Sequence, residues 1–350
     1  MKAFRWHGKG KLKLEEVRVP KVRDTDVLIE VNAMGICGSE VSFRHDMIPI
    51  PEGKIPRVGG HEFAGTVVER GPKVTQLNQG DKVSARYTIS CGDCTWCNRG
   101  MDNLCTNRGS IEYDALGYEG GFAEYCLLPA RNAFRLPDGI PMEQAAIIGC
   151  AVTTALHAVK VRGGLKTAES VAVCGLGGIG LHAIQWANVL GAKKIIGVDV
   201  NDFKLRTATK FGASETIDAR DNDTVKKVHE ITGVDGVDIV IDTVGSERTI
   251  DQALRSVGPA GRVVVVGLQG GAFIHPLQVN LSPILWYETN LTGSIDHTRD
   301  DHQLAIEYVA SQKYDLSKSV THKLPFEKLN EAIDILEEGK QDIIRIVCTR

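Results

Sequence analysis

Four nearly unbroken apolar runs mark the second half of this chain: SVAVCG at 170–175, KIIGVD at 194–199, DIVIDTVG at 238–245 and RVVVVG at 262–267. A strand with one wet face alternates apolar and polar residues. A run without alternation is buried on both faces, as parallel strands are. Helix-length segments separate the runs: IGLHAIQWANVLGA, NDFKLRTATKFGA, DTVKKVHEITG and ERTIDQALRSVG. Parallel neighbours need crossovers of that kind, so the alternation predicts an α/β fold with a doubly wound parallel sheet over residues 152–295. Residues 1–151 have another texture. DVLIEVNA near 26–33, FAGTVVER at 63–70 and GDKVSARY at 80–87 are short β-like runs bounded by Gly, Pro, Asn or Asp, which predicts an irregular, mostly antiparallel β domain. In the last segment, 296–350, two helices are expected around 301–312 and 326–339, followed by a strand, DIIRIVC. No internal repeat or low-complexity tract interrupts this plan.

With 350 residues, 43% of them hydrophobic, the chain can bury two separate cores. Its formal net charge of −3 comes from acidic and basic residues scattered without runs of one sign, which points away from nucleic acid and from anionic membranes as partners. The start, MKAFRWHGKGKLKLEE, lacks the apolar centre of a signal peptide, and no stretch approaches the apolar length of a membrane span. A cytoplasmic protein is expected. In that reducing setting the nine cysteines are read as metal ligands before disulfides, wherever they cluster.

GLGGIG holds Gly175, Gly177 and Gly180 in G-x-G-x-x-G spacing, with Gly178 and Ile179 between them. The motif follows a predicted strand, opens a predicted helix, and has Asp199 at the end of the next strand. These conditions together define a dinucleotide site. Gly175 permits the tight turn, Gly177 lets backbone approach a pyrophosphate, and Gly180 allows close helix packing, with phosphate facing the helix N-terminus. Asp199 would accept hydrogen bonds from the adenosine ribose and repel a 2′-phosphate, which predicts NAD over NADP. The plainer reading of Asp199 is a cap for the helix starting at Asn201 or Asp202.

CGDCTWCNRGMDNLC places Cys91, Cys94, Cys97 and Cys105 at C-x-x-C-x-x-C-x7-C spacing, enough thiolates to close a tetrahedral zinc site from one loop. A closed site is structural. Zinc ribbons that bind nucleic acid use two separated pairs, and this loop has no basic surround. A second ligand set is dispersed: Cys37 in MGICGSE, His61 and Glu62 in GGHEFAG, and Cys150 in IIGCAVTT. One His and two Cys leave a fourth zinc position open, as catalysis requires. Taken singly, each has an ordinary alternative, the buried cysteine or the turn histidine, and spacing alone does not join them.

GICGSE, GGHEFAGTVVERG, the four-cysteine loop, and GLGGIG followed by VDVN occur in one order along the chain. In these motifs the sequence resembles the zinc-dependent alcohol dehydrogenases of the medium-chain dehydrogenase and reductase superfamily. The resemblance implies a GroES-like β domain, a Rossmann domain, a C-terminal segment returning to the first domain, and an active site in the cleft between domains. It implies two zinc ions per chain, a catalytic one on Cys37, His61 and Cys150 and a structural one on Cys91, Cys94, Cys97 and Cys105. Glu62 matches a glutamate that approaches the metal during ligand exchange, its alternative being a carboxylate without a direct role. Ser39 matches the hydroxyl that bonds the substrate oxygen, its alternative a turn serine. Thr154 and Ile179 match residues against the nicotinamide, Lys204 one beside the adenosine ribose, and Arg345 one reaching the pyrophosphate. For Lys204 and Arg345 a solvated charge is the alternative. Leu268 joins the cofactor set by the same resemblance, and pocket walls are expected from Phe43, 107–116 and 268–273.

The implied reaction is reversible oxidation of a primary or secondary alcohol by NAD. The substrate oxygen takes the open zinc position, Ser39 takes the proton, and hydride passes to nicotinamide C4. Polyol, sugar or threonine-type amino-alcohol dehydrogenases share this chemistry, and Cys150 stands where those relatives often have Glu. Quinone and enoyl reductases of the superfamily lack the zinc ligands, and a dinucleotide-binding regulator without turnover would be marked by a lost ligand or relay hydroxyl. Many relatives also have a proton-relay histidine at the position of Ser42, so the exit here is expected through the ribose hydroxyls, water or another group such as His45. Cys126, Cys174 and Cys348 are read as packing residues. A homodimer or homotetramer is the family expectation.

Overall fold

The apolar runs become the centre of a parallel sheet whose spatial order is Glu215–Asp218, Lys194–Asp199, Ser170–Cys174, Val237–Asp242, Val257–Val265, Asn290–Gly293. Every neighbouring pair in it is parallel. The first strand in sequence sits in the middle and the chain winds outward from it in both directions, the arrangement of a dinucleotide-binding sheet. The computed structural model describes the chain except residues 9, 49, 51–52, 108, 111–117, 222, 234, 268–275 and 340–341.

The four intervening helices are Gly178–Val189, Asp202–Phe211, Thr224–Thr232 and Glu247–Ser256. Their ends follow local chemistry. Asn201 caps the second through its side chain and Gly212 closes it in the left-handed conformation, while Ser246 and Thr249 form a reciprocal capping box on the fourth. The strands Glu215–Asp218 and Asn290–Gly293 went unseen in the sequence because, as edge strands, they carry exposed residues instead of an apolar run.

The chain divides into two compact units, 1–153 with 297–350, and 154–296. The larger unit is built on the long strand Asp26–Ile36, which pairs antiparallel with Glu62–Arg70, Tyr125–Pro129 and the last strand, Arg345–Thr349. This last pairing ties the C-terminal segment into the N-terminal sheet. Phe4, Ile29, Phe63, Phe122 and Phe326 fill its core. A 21-residue helical segment, Met142–Arg162, is long and apolar enough to cross a membrane, yet 83% of its most apolar window is buried inside the protein. Being apolar all round, it gave no amphipathic period to read.

Candidate functional site

Strand register assembles the first cluster. Gly35 lies opposite Glu62 and Val347 opposite Gly35, so the chain segments carrying Cys37, His61 and Arg345 meet at one end of the sheet. A Cβ on Gly35 would run into the Glu62 carboxylate, so that position must lack one for Glu62 to lie across the strand. Cys150 arrives from the other side, in a π-helical stretch, Ile148–Val152, of the long helix. Such bulges gather at functional sites. Gly149 makes the approach possible, because a Cβ there would strike the Ala85 carbonyl oxygen.

The result is that one donor atom each from Cys37, His61, Glu62 and Cys150 lies within 4.8 Å of all the others. His61, Glu62 and Cys150 are buried. Hydrogen bonding to Cys150, with His61 alongside, holds the Cys37 thiol well below its ordinary range; the same bond and burial push the Cys150 thiol well above it. Burial pushes the Glu62 carboxyl up, against the pull of Arg345. Two hydrogen-bonded thiols, an imidazole and a carboxylate, three of the four buried, form a donor set suited to a divalent cation.

Around this cluster the fold supplies groups that the sequence did not single out. Glu40 is fully buried with Oε1 3.5 Å from His61 Nδ1, in the position of a carboxylate that orients a ligand histidine. Tyr87 stands edge-on to His61 with ring centroids 5.1 Å apart, and it also faces His297. His297 and His302 are buried partners, Nε2 to Nδ1 3.2 Å, with Ser84 3.1 Å from the far nitrogen of His302. None of these carries a spacing signal, since each reaches the cluster only through tertiary contact. Ser39, the expected hydroxyl, is the second residue of the helix Gly38–Arg44, and its Oγ is buried with no hydrogen-bond partner among the described residues. His45, at the end of that helix, is half exposed and pairs with Glu337 at 2.5 Å. Arg345, which the resemblance sends to a pyrophosphate, is 5% exposed and donates to Glu62.

The four-cysteine loop forms the second cluster. Its sulfurs are 3.4 Å (Cys105–Cys91), 3.6 Å (Cys94–Cys97), 3.8 Å (Cys94–Cys105) and 3.9 Å (Cys91–Cys97) apart. A zinc tetrahedron with bonds of 2.3 Å has edges of about 3.8 Å. The backbone helps: the N–H of Cys91 donates to Cys105 Sγ and that of Cys94 to Cys91 Sγ. Donation from the Cys97 backbone brings the Cys94 thiol down to about 6, while burial pushes Cys97 up to about 12.

In the other unit the glycine loop takes the expected shape. Gly175 has φ +84°, and a Cβ there would approach Val244 Cγ2 to 2.6 Å. At Gly180 a Cβ would strike the Gly175 carbonyl. Gly177, the N-cap of the helix, has open space where its Cβ would be, room for a phosphate beside the helix N-terminus. Asp199 is buried, accepting from Leu176 N at 2.6 Å and from Val200 and Asn201 N at 2.8 and 2.9 Å; Asn201, not Asp199, caps the next helix. Ile179 and Lys204 are half buried on the two helices that flank this loop, and Thr154 is the first residue of the unit. Leu268 and the segments 111–116 and 268–273 lie outside the described residues.

Comparison with known proteins agrees with this geometry. Residues 23–138 match the family of the alcohol dehydrogenase GroES-like domain, and 178–311 match that of the zinc-binding dehydrogenases. An alcohol dehydrogenase of Geobacillus stearothermophilus is 33% identical over 333 residues, covering 95% of this chain and 94% of that one. An L-threonine 3-dehydrogenase of Pyrococcus abyssi is 34% identical over 337 residues, covering 93% and 92%. A solved structure from Sinorhizobium meliloti, a zinc-binding dehydrogenase bound to NADP, superposes with a TM-score of 0.89 at 30% identity, covering 100% of this chain and 99% of that one.

Proposed function

The chain belongs to the zinc-dependent alcohol dehydrogenases of the medium-chain superfamily, and from that membership we propose that it oxidises a primary or secondary alcohol reversibly to the aldehyde or ketone, with NAD as hydride acceptor. The observation that carries this reading is the meeting of Cys37, His61, Glu62 and Cys150 within 4.8 Å. Ser39 on the adjoining helix offers a buried hydroxyl without a hydrogen-bond partner among the described residues.

Two cysteines and a histidine suit a zinc ion with one position to spare, and four cysteines suit one with none. When bound, the first zinc supplies Lewis acidity toward a hydroxyl oxygen, and NAD supplies the electrophilic carbon for hydride. The chain's own residues do the rest. Ser39 Oγ receives the hydroxyl proton as its own proton moves on toward solvent. A bound nicotinamide would accept at C4 the hydride that the substrate C–H bond gives up. Glu40 fixes the orientation of His61. Arg345 holds Glu62 Oε2, and Oε1, 4.0 Å from His61 Nε2 and without a hydrogen bond among the described residues, is the oxygen that would be offered to a bound metal. Thr154 and Ile179 bear on the nicotinamide, Gly175, Gly177, Gly178 and Gly180 on the pyrophosphate, and Asp199 and Lys204 on the adenosine ribose. The acidic Asp199 is the basis for NAD over NADP.

The threonine dehydrogenase relative supports an amino-alcohol reading as the second candidate, and polyol or sugar oxidation would use the same chemistry. Cys150, where such enzymes often have Glu, supports the simpler alcohols. A panel of primary and secondary alcohols, L-threonine and polyols, run with NAD and NADP, tests both readings. Turnover of L-threonine alone would replace the first with the second.

A reducing compartment such as the cytoplasm suits a chain with nine unpaired cysteines. Self-association is supported by the open edge strand Asn290–Gly293 and its surroundings, where Leu285 and Trp286 are each 75% exposed and Leu281 and Tyr287 are more than half exposed. Light scattering should find a dimer or tetramer, and Trp286→Glu should shift it toward monomer.

A further inference from the structure

Beside Asp199 the sheet carries a second acidic residue. Asp218 ends the neighbouring strand directly opposite Asp199 in the parallel register. Adjacent strands are about 4.8 Å apart, so the two carboxylates share one end of the sheet. A third, Asp202, lies in the first turn of the helix that follows Asp199. Between them sits one guanidinium. Arg220 Nε donates to both Asp218 oxygens at 2.9 and 2.8 Å, and its Nη2 donates to Asp202 Oδ1 at 2.5 Å. The backbone N–H of Arg220 also donates to Asp218 Oδ1 at 2.9 Å, so Asp218 fixes main chain and side chain together.

Arg220 is the kind of group that recognises phosphate. It is always charged, it presents a planar fork, and at 53% exposure it is accessible. Yet its Nε–Nη2 edge is already occupied. Asp199, by contrast, has its oxygens turned to backbone N–H groups and makes no pair with Arg220 among the described residues. The three acidic groups therefore differ in their partners: Asp199 is held by backbone N–H groups, while Asp202 and Asp218 engage the nearby cation.

We infer that Asp202 and Asp218 determine dinucleotide choice by occupying Arg220, the cation that would otherwise accept a 2′-phosphate. This rests on the reading of Asp199 as the ribose-binding group. The carboxylates would then act twice against NADP, by repulsion and by withholding its partner. Because Arg220 donates to both carboxylates, removing one leaves it paired with the other, and releasing it needs both of them neutralised.

The test is equilibrium binding of NAD, NADP, AMP and adenosine 2′,5′-bisphosphate to the zinc-loaded protein, measured by calorimetry at low salt. Asp202→Asn/Asp218→Asn should tighten NADP and the bisphosphate by about tenfold, with NAD and AMP unchanged. Adding Arg220→Gln to that pair should remove most of the gain. A gain that survives Arg220→Gln would mean that repulsion alone operates, and the inference would fail; so would it if the paired variant, with its NAD affinity and melting temperature intact, showed no gain. Arg220→Gln in the otherwise unchanged protein should leave the bisphosphate affinity as it was. A loss there would show Arg220 already meeting the phosphate, which also overturns the inference. If the unchanged protein prefers NADP, the premise about Asp199 falls, and that is read separately from the Arg220 comparison.

Discussion

The two cysteine clusters have similar donors and opposite construction. The loop takes all four ligands from residues 91–105, and its sulfurs already stand 3.4 to 3.9 Å apart, helped by N–H groups of the same loop. The other cluster gathers Cys37, His61 and Cys150 from separate elements and surrounds them with buried charge, Glu40, Glu62 and Arg345. Closing a short loop costs little chain entropy. Gathering distant residues costs nothing extra once the sheet exists, because strand pairing and helix docking have already fixed them. The loop can therefore be a clamp that needs little of the fold, whereas the dispersed cluster is only as sound as the core that positions it.

The sharpest way to break this contrast is to remove one ligand from each cluster. Cys150→Ala should lower turnover by on the order of a thousandfold or more, since the Lewis acid is lost, while elemental analysis still finds the loop zinc. Cys97→Ser should lose the loop zinc instead, and lower the melting temperature by roughly 10 °C while the other metal remains. If either variant lost both metals, the two sites would not be independent.

Arg345 tests the dependence on the core. Arg345→Met leaves the Glu62 carboxylate buried without its partner, a loss of about 3–5 kcal/mol of stability in urea unfolding. Glu62→Gln/Arg345→Met should recover most of it. A single variant as stable as the parent would mean that Glu62 is compensated by something other than Arg345.

Ser39→Ala separates chemistry from assembly. Turnover should fall about a hundredfold, with two zinc ions and the NAD dissociation constant retained. Unchanged turnover removes Ser39 from the proton path. The smallest effect is expected at Glu40: Glu40→Gln should weaken metal binding at the dispersed site about tenfold in competition with a chelator, leaving the loop untouched. Equal weakening of both sites would assign Glu40 to general stability.

Much of this molecule could be read residue by residue. The runs at 170–175, 194–199, 238–245 and 262–267 each hold a strand of the parallel sheet, although that of 238–245 stops at Asp242 and that of 262–267 spans Val257–Val265, and the segments between them hold its helices. The four-cysteine loop and GLGGIG were equally plain, because the residues that cooperate in them are neighbours in the chain. Edge strands such as Glu215–Asp218 were not, since exposure removes the apolar signature that marks a buried strand.

The dispersed cluster shows where such reading ends. Cys37, His61 and Cys150 could be joined only through resemblance, and Glu40, Tyr87 and the His297–His302 pair had no signal at all. What unites them is the register that sets Gly35 against Glu62 and the close approach that Gly149 allows to Ala85. Periodicity and spacing are properties of a short window, so local sequence suffices for elements, for the four-cysteine loop and for the glycine loop. Convergence depends on which strands pair, in what register, and how nearly two backbones can touch, and those relations exist only once the chain has folded.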